Sequence, residues 1–555
     1  MKKQIYIAFA LCGLIIIAFA CKTLIEPDIW WQITTGEWIL QHHQVPKTDI
    51  LSYTYAGEPW VNIKWLSEVF MYSVAKYSSP EMIYLVLGAL FIPIIYFLYQ
   101  NNKALFTSDK SVFSYSVFYA LLFFIVIVSH RINGRPEAFS YFFTALYLYI
   151  FIRAIDKKYL LFFLVPLQIV WCNTHEAYGV GIVLIIIYSI FEFIWSDTKT
   201  KIYIGSTLLL SIAGLALNPI GTKIYAYTLN IFTQLDKNKF TSELLDFTVS
   251  GYWDFFSVLN LLSFIIVIIY LFHIAKKANW NLKLLNATLP LFYFIITLAF
   301  FYLSLKSNRN IPFFQIVAFP IYAKAISNIK ATWLHESKMA FYIFAVVMYF
   351  SIVSNTFYKA FDTHNEFGLG VSPVYNPIGA INYLKSKEVK GKVFSDFLIS
   401  NYALYHLRPN YKSYIDLRDL DVFPAKFFEN CMVLYQAPES MVSPTQTIWQ
   451  MADSLDQFSY VLLLNSPDFA PLHQTLHRST NYQIVYADAN SSVYKKLIRN
   501  ESKNNQVDFY KSYTYYPSNT FSNILNKILN PFYKNPKDRV YDFDEYKSTY
   551  EREYM

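Results

Sequence analysis

Long runs of apolar residues decide what this chain can fold into. "VFYALLFFIVIVS" and "FFSVLNLLSFIIVIIYLFHIA" are two of them. In hydrocarbon every backbone N–H and C=O needs an internal partner, so runs of about 20 apolar residues fold as membrane-spanning helices. Only 15% of the 555 residues are charged, against about a quarter in a soluble globular chain. The fold class read from this is an α-helical polytopic membrane protein with about eleven transmembrane helices. They are expected over 4–21, 82–100, 111–129, 137–153, 159–172, 178–195, 202–218, 257–275, 286–305, 311–326 and 339–356. The fifth and tenth are short for a span.

Lys and Arg set the orientation, because they collect in cytoplasmic loops. The chain begins "MKKQ". With that end inside, "NNKALFTSDK", "RAIDKKY", "SDTKTK", "HIAKKANWNLK" and "AKAISNIKATWLHESK" are also inside, and all are basic-rich. The segment 22–81 and everything after about 357 then face outward. The net charge of +8 is mostly this inside bias, so no nucleic-acid partner is implied. "IAFACK" has Ala18 where a lipoprotein cleavage box needs a Leu-like residue, and the first run reads as an uncleaved anchor. Cys12, Cys21, Cys172 and Cys431 are far apart, without a CxxC, and define neither a zinc site nor a disulfide framework.

The expected domains are a transmembrane domain 1–356 carrying the outward loop 22–81, an α/β extracytoplasmic domain 357–499, and a polar tail 500–555, extended or poorly ordered. In the loop, Pro27 suits the first turn of a helix, and Ile29, Ile33 and Leu40 give it an apolar stripe. Trp30, Trp31 and Trp38 are residue types of a headgroup boundary. In the C-terminal domain, "NPIGAINYLKS" and "LISNYALYHL" read as helices, "GKVFSDF", "YKSYIDL" and "YVLLLN" as strands, and "YQIVYADANSSVYKKL" as a hairpin.

The chemistry-bearing residues lie on the outward side. Glu26 and Asp28 stand at a helix start, where the dipole alone stabilises acids; a carboxylate there is also placed as a general base toward a hydroxyl. Arg131 and Arg135, in "HRINGRPE", read either as snorkelling arginines or as forks for a phosphate. Lys306 and Arg309, in "KSNRN", repeat that pattern. His175 and Glu176 end a short span in "WCNTHEAYG", a depth where ionisable groups are site candidates. Glu243 and Asp246 are weaker ones. No metal site is defined by spacing, no cofactor is implied, and a divalent metal requirement stays open.

The loop "EPDIWWQITTGEWILQHHQVPKTDILSYTYAGEPWVNIKWLSEV" resembles the first loop of a group of bacterial polytopic proteins with a DPDxWWHxxxGxxI…PxxDxFSxTxxGxxWxxxxWLxE pattern. That group resembles GT-C glycosyltransferases of the protein mannosyltransferase and lipid A aminoarabinose transferase type. "RPEAFSYFF", "WCNTHEAYGVG", "LNPIGTKIY", "RNIPFF" and "NPIGAINYLK…GKVFSDF…SYIDLRD" resemble its later blocks, so the likeness runs over about 1–497. It implies a GT-C fold in the bacterial cytoplasmic (inner) membrane with its active site at the outer surface and an essential acid in the first loop. Asp28 matches that acid. Glu26 replaces the usual Asp, and Gln32 replaces the usual His.

The expected function is therefore transfer of a sugar from a polyprenyl-phosphate donor to an outward-facing acceptor. Asp28 and Glu26 are the catalytic candidates; Arg131, Arg135, His175, Glu176, Lys306 and Arg309 are the substrate-binding ones. The alternative is a non-catalytic scaffold or lipid-handling protein of envelope glycan assembly on the same fold.

Overall fold

Each of the eleven apolar segments contains a helix in the computed structural model of the chain, which describes residues 2–106, 115–228, 245–329, 337–361, 365–387, 389–418, 421–498, 508–509 and 520–533. The helices include Lys2–Ala20, Phe91–Leu105, Ser116–Val128, Glu137–Ala154, Leu164–Thr174, Gly179–Trp195, Thr198–Gly214, Phe255–Lys277, Leu291–Lys306, Ile311–Ser327 and Lys338–Val353. By length and apolarity, the helical stretches Lys3–Ala20, Met82–Leu105, Glu176–Ile194, Thr198–Leu217 and Phe255–Lys277 can cross a membrane unaided. Glu243 lies outside the described residues. The molecule is a polytopic membrane protein with a C-terminal α/β region. It divides into two compact units, Met1–Lys22 with Ile83–Gly368, and Thr23–Met82 with the chain from Leu369 on.

In the first unit the short tenth segment is the hub. Every residue from Ile311 to Ala323 is buried. The helix packs on Phe91–Leu105, Ser116–Val128, Glu137–Ala154, Phe255–Lys277 and Leu291–Lys306. A helix apolar on all faces takes such a central place. Pro312 sits in its first turn, where the missing N–H costs nothing. Its one buried amide, Gln315, donates to Asn260 Oδ1 at 2.8 Å and Ser263 Oγ at 2.7 Å, and Asn260 donates to Ser304 Oγ at 3.0 Å. Three helices are thereby stitched by interhelical hydrogen bonds. The ninth segment differs from its expected 286–305: helix Leu282–Thr288 stops and Leu291–Lys306 begins anew across Pro290, because proline cannot continue a helix that precedes it.

The second unit is discontinuous in sequence. The loop 22–81, which the sequence reading grouped with the transmembrane helices, folds here with the C-terminal region. It supplies helices Asp28–His42 and Trp65–Tyr77. Trp30 and Trp31, expected at a headgroup boundary, are buried inside the unit instead. The Trp30 indole donates to Asn376 Oδ1 at 2.7 Å.

A five-stranded mixed sheet forms the rest of its core, in the order β1 (Val393–Ser395), β4 (Tyr460–Leu464), β6 (Ser491–Lys496), β5 (Tyr482–Ala487), β7 (Asp508–Phe509). A separate two-stranded ribbon pairs β2 (Met441–Ser443) with β3 (Gln446–Thr447). β5 and β6 make the expected hairpin. "YKSYIDL" does not join the sheet; Ser413 forms an isolated bridge with Ser52 of the loop instead. The reason is a buried ionic cluster. Arg418 grips Asp416 with two nitrogens, at 2.8 and 2.7 Å, and Asp49 with a third at 2.6 Å. The three side chains are fully buried. Ser413 donates to Asp416, and Ser52 and the Leu51 N–H donate to Asp49. Within 500–555, where an extended tail was expected, Thr520–Leu529 is a helix.

Removing one partner of a buried ionic cluster costs about 3–5 kcal/mol, because the remaining charges stay buried and unpaired. Arg418→Met is therefore expected to strip hydrogen-exchange protection from residues 49–54 and 413–418. Unchanged protection would show that the cluster does not hold the loop.

A second expectation concerns pH. His473 is fully buried, its Nε2 donating to the Leu464 carbonyl at 3.1 Å and its Nδ1 accepting from the Tyr494 hydroxyl at 2.8 Å. Burial pushes its pKa from 6.5 down to about 3. Unfolded chains take up a proton there that folded ones refuse. The contribution of His473 is thus complete above pH 6.5 and is lost as pH falls toward 3, by up to about 1.4 kcal/mol per pH unit. Buried Asp396, raised to about 7 by burial, runs the opposite way, so the comparison with His473→Gln isolates the histidine. The expected result is a shallower acid loss of sheet protection in the variant.

Candidate functional site

Helix Asp28–His42 begins directly behind Pro27, which puts Asp28 in its first turn. The unsatisfied N–H groups there carry partial positive charge and favour an acid. Asp28 is half-buried, and the Trp31 indole donates to its Oδ1 at 3.2 Å. Such a spacing puts the indole one helical turn away on the same face. Glu26, also half-buried, precedes the helix. The helix is fixed from behind. Asn376, fully buried, accepts from Trp30 and donates to the carbonyls of Leu24, Ser372 and Val374. The Glu37 carboxylate is paired with Arg408. The stretch carrying the two acids is thus rigidly placed, with one carboxylate oxygen of Asp28 engaged by a tryptophan.

In the first unit the remaining candidates gather around the start of helix Glu137–Ala154. Arg131 is buried and paired with Glu137 at 3.4 Å. Arg135 and Pro136 lead into the helix, and Arg135 is half-buried. Two consecutive residues of its first turn then reach two other blocks. Ser140 Oγ lies 2.8 Å from His175 Nδ1 and accepts from the Trp171 indole at 2.7 Å. The Ala177 N–H points at the same histidine nitrogen at 3.3 Å. Nδ1 is therefore an acceptor, Ser140 donates to it, and the neutral imidazole carries its proton on Nε2. Tyr141, next in sequence, donates to the Arg309 carbonyl at 3.0 Å.

So the blocks "RPEAFSY", "WCNTHEA" and "RNI" meet near one helix end: Arg131 pairs with Glu137, His175 bonds Ser140, and the Arg309 backbone bonds Tyr141. Glu176 opens the short 3-10 turn Glu176–Tyr178 beside them. Asn218 supports this corner by donating to the Cys172 carbonyl at 2.9 Å and Asn173 Oδ1 at 3.2 Å. Lys306 is exposed, its ammonium 3.9 Å from half-buried Asp246.

Glu137, Ser140, Tyr141 and Asn376 were missed as site residues by sequence reasoning, although each stands inside a block that it quoted. A small hydroxyl or an amide carries no chemical label of its own. Among the described residues no group of three or more His, Cys, Asp and Glu side chains is placed to hold a metal ion.

Ser140→Ala removes the hydroxyl that accepts from the buried Trp171 indole N–H and that bonds His175 Nδ1. A cost of about 1–3 kcal/mol is expected, read as a lower unfolding temperature of the detergent-solubilised protein. An unchanged midpoint would mean that water replaces the hydroxyl.

No protein-family model and no curated protein sequence matches the chain. Solved structures do. The chain is similar to the oligosaccharyltransferase of Archaeoglobus fulgidus tethered to an acceptor peptide containing the NVT sequon, with a TM-score of 0.53 and 11% identity, over 88% of this chain and 74% of that one. The same enzyme, AglB, in complex with an inhibitory peptide and a dolichol-phosphate gives 0.52 at 11% identity, over 88% and 74%. The arabinofuranosyltransferase AftD from Mycobacteria gives 0.53 at 13% identity, over 90% of this chain and 40% of that one. The chain thus spans about two-fifths of AftD. AglB and AftD are GT-C glycosyltransferases, and at these identities the likeness establishes a GT-C fold.

Proposed function

We propose that this protein is an integral-membrane glycosyltransferase that moves a sugar from a polyprenyl-phosphate donor to an outward-facing acceptor. The observation that carries this reading is the GT-C fold, which extends over about nine-tenths of the chain in neighbours that transfer sugars. The dolichol-phosphate held by one of them supports a lipid-phosphate donor. The N-terminus is cytoplasmic, and the α/β region and first loop are extracytoplasmic in the bacterial inner membrane, as the basic inner loops require.

In this reading Asp28 is the general base. Its carboxylate takes the proton of the acceptor hydroxyl as that oxygen bonds to the sugar. The bond from the sugar to the phosphate oxygen breaks, and the polyprenyl phosphate leaves with the electron pair. Glu26, two residues before it, is the second acid of the catalytic stretch. Arg135 and Arg309 hold the phosphate, because a planar guanidinium matches its oxygens in pairs. Arg131, already offset by Glu137, contributes positioning of the Arg135 turn. His175 and Glu176 shape the substrate pocket, and Lys306 adds a peripheral charge.

Asp28→Asn tests the central assignment. The amide oxygen still accepts from Trp31, and loss of a helix-end charge costs only about 0.3–1 kcal/mol. General-base help is worth about 10²–10⁴-fold, so transfer of radiolabelled sugar from a polyprenyl-phosphate donor should fall by that factor with thermal stability nearly unchanged. Full turnover in the variant would reduce Asp28 to a helix-end charge.

A further inference from the structure

The helix Thr520–Leu529 is amphipathic, and its polarity is inverted for a docked helix. Its buried side is polar. Ser522 Oγ donates to Glu81 Oε1 at 3.1 Å. Asn526 pairs with both backbone groups of Leu369, accepting from its N–H at 2.7 Å and donating to its carbonyl at 3.0 Å. Ser522 and Asn526 are 0% exposed. The other side is apolar and bare. Phe521, Ile524 and Ile528 are 57%, 51% and 69% exposed, and Phe532, just past the helix, is 86% exposed. Steps of three and four residues place them along one stripe. Water is a poor partner for such a stripe, since burying one large apolar side chain is favourable by about 1.5–3 kcal/mol.

The anchor points identify what covers it. Glu81 immediately precedes the apolar helical stretch Met82–Leu105, so covalent connection holds it at the bilayer surface. Leu369 adjoins Gly370, whose carbonyl accepts from the Leu24 N–H at 2.7 Å. Leu24 is four residues beyond the end of helix Lys2–Ala20, a reach of at most about 14 Å. Both docking contacts of the C-terminal helix thus lie where the chain leaves the membrane. Exposed Lys527 adds a cation of the kind that lipid phosphates attract. Apolar stripe, basic residue and membrane-edge anchorage together are the properties of an interfacial helix.

We propose that residues 520–533 are a lipid-binding anchor, with Phe521, Ile524, Ile528 and Phe532 inserted at the headgroup–acyl boundary of the leaflet where helix Lys2–Ala20 ends. The polar side holds the chain, and the apolar side holds the bilayer. This role is independent of the sugar-transfer reading.

The test uses the full chain in vesicles of phosphatidylethanolamine and phosphatidylglycerol. A nitrobenzoxadiazole label is placed on Ile528→Cys, and on Lys426→Cys as the exposed reference; the native cysteines are all buried. Because Ile528 is largely exposed, the substitution leaves the docked side intact. The label at 528 is expected to emit at shorter wavelength than the reference. Lipids spin-labelled high on the acyl chain should quench it, and aqueous iodide should not. Quenching by iodide alone would place the stripe in water and overturn the proposal. Shielding from both quenchers would mean that a protein or a second copy covers it, which also overturns the proposal.

Discussion

The second unit depends on one fully buried arginine. Its two chain segments are separated by nearly all of the membrane helices, and no local propensity can bring them together. Arg418 does so by holding Asp416 of its own segment and Asp49 of the first loop at once. Two carboxylates around one guanidinium leave a net negative charge out of water, which hydroxyl and backbone N–H donors from Ser52, Ser413 and Leu51 offset. Backbone pairing follows from that register: the Tyr53 N–H reaches the Ser413 carbonyl, and the Ser413 N–H reaches the Leu51 carbonyl. A hydrophobic contact would tolerate a slip by one residue. A bidentate grip on a buried carboxylate does not, which is why ionic groups suit a join that must be specific more than it must be strong.

The same logic explains why the acids of the loop diverge in role. Asp49 and Asp28 belong to one resembled motif, yet Asp49 has no exposure while Asp28 keeps part of its surface. A carboxylate committed to a buried guanidinium has no lone pair to offer a substrate. Asp28 instead stays partly open to solvent, one of its oxygens accepting from an indole N–H at 3.2 Å. In the first unit the division repeats. Arg131 is buried against Glu137, whereas Arg135 and Arg309 are half-buried. Motif residues therefore sort by burial into those committed to internal ion pairs and those that keep accessible surface.

Much of the membrane part was legible in the sequence, because a helix in hydrocarbon needs little beyond an apolar run. The helices in the eleven segments follow from that alone, whereas the break across Pro290 in the ninth was not read. What pattern could not show was rank: Ile311–Ser327 reads as a short, doubtful span, and only packing reveals it as the hub. The first loop misled for a related reason. Trp30 and Trp31 have the same composition signal whether they face headgroups or a protein core, and Asn376, which decides the matter by accepting from Trp30, lies 346 residues away. "YKSYIDL" reads as a strand, but its Asp416 is committed to Arg418 and its Ser413 to Asp416 and the first loop, not to a sheet neighbour. The chemical candidates were legible as residue types. Their grouping around Ser140 and Tyr141 was not, since two ordinary residues in a helical turn carry no motif.

The proposed reaction between a lipid phosphate and a water-soluble acceptor carries its own constraint. The acid proposed as its base would work at the membrane surface, where a carboxylate on an untethered loop would sample many positions. Positioning within about half an ångström is what makes such a group effective. The first loop meets this demand by fixing its short helix three ways: through Trp30 to Asn376, through Glu37 to Arg408, and through the Arg418 cluster further along. None of these contacts touches Asp28. Each removes freedom from the helix that carries it, so the acid in its first turn is held in place while staying partly open to solvent. Tryptophans beside acids at a membrane exit are thus explained by rigidity: one indole locks the helix to the protein core, and its neighbour locks the carboxylate to the helix.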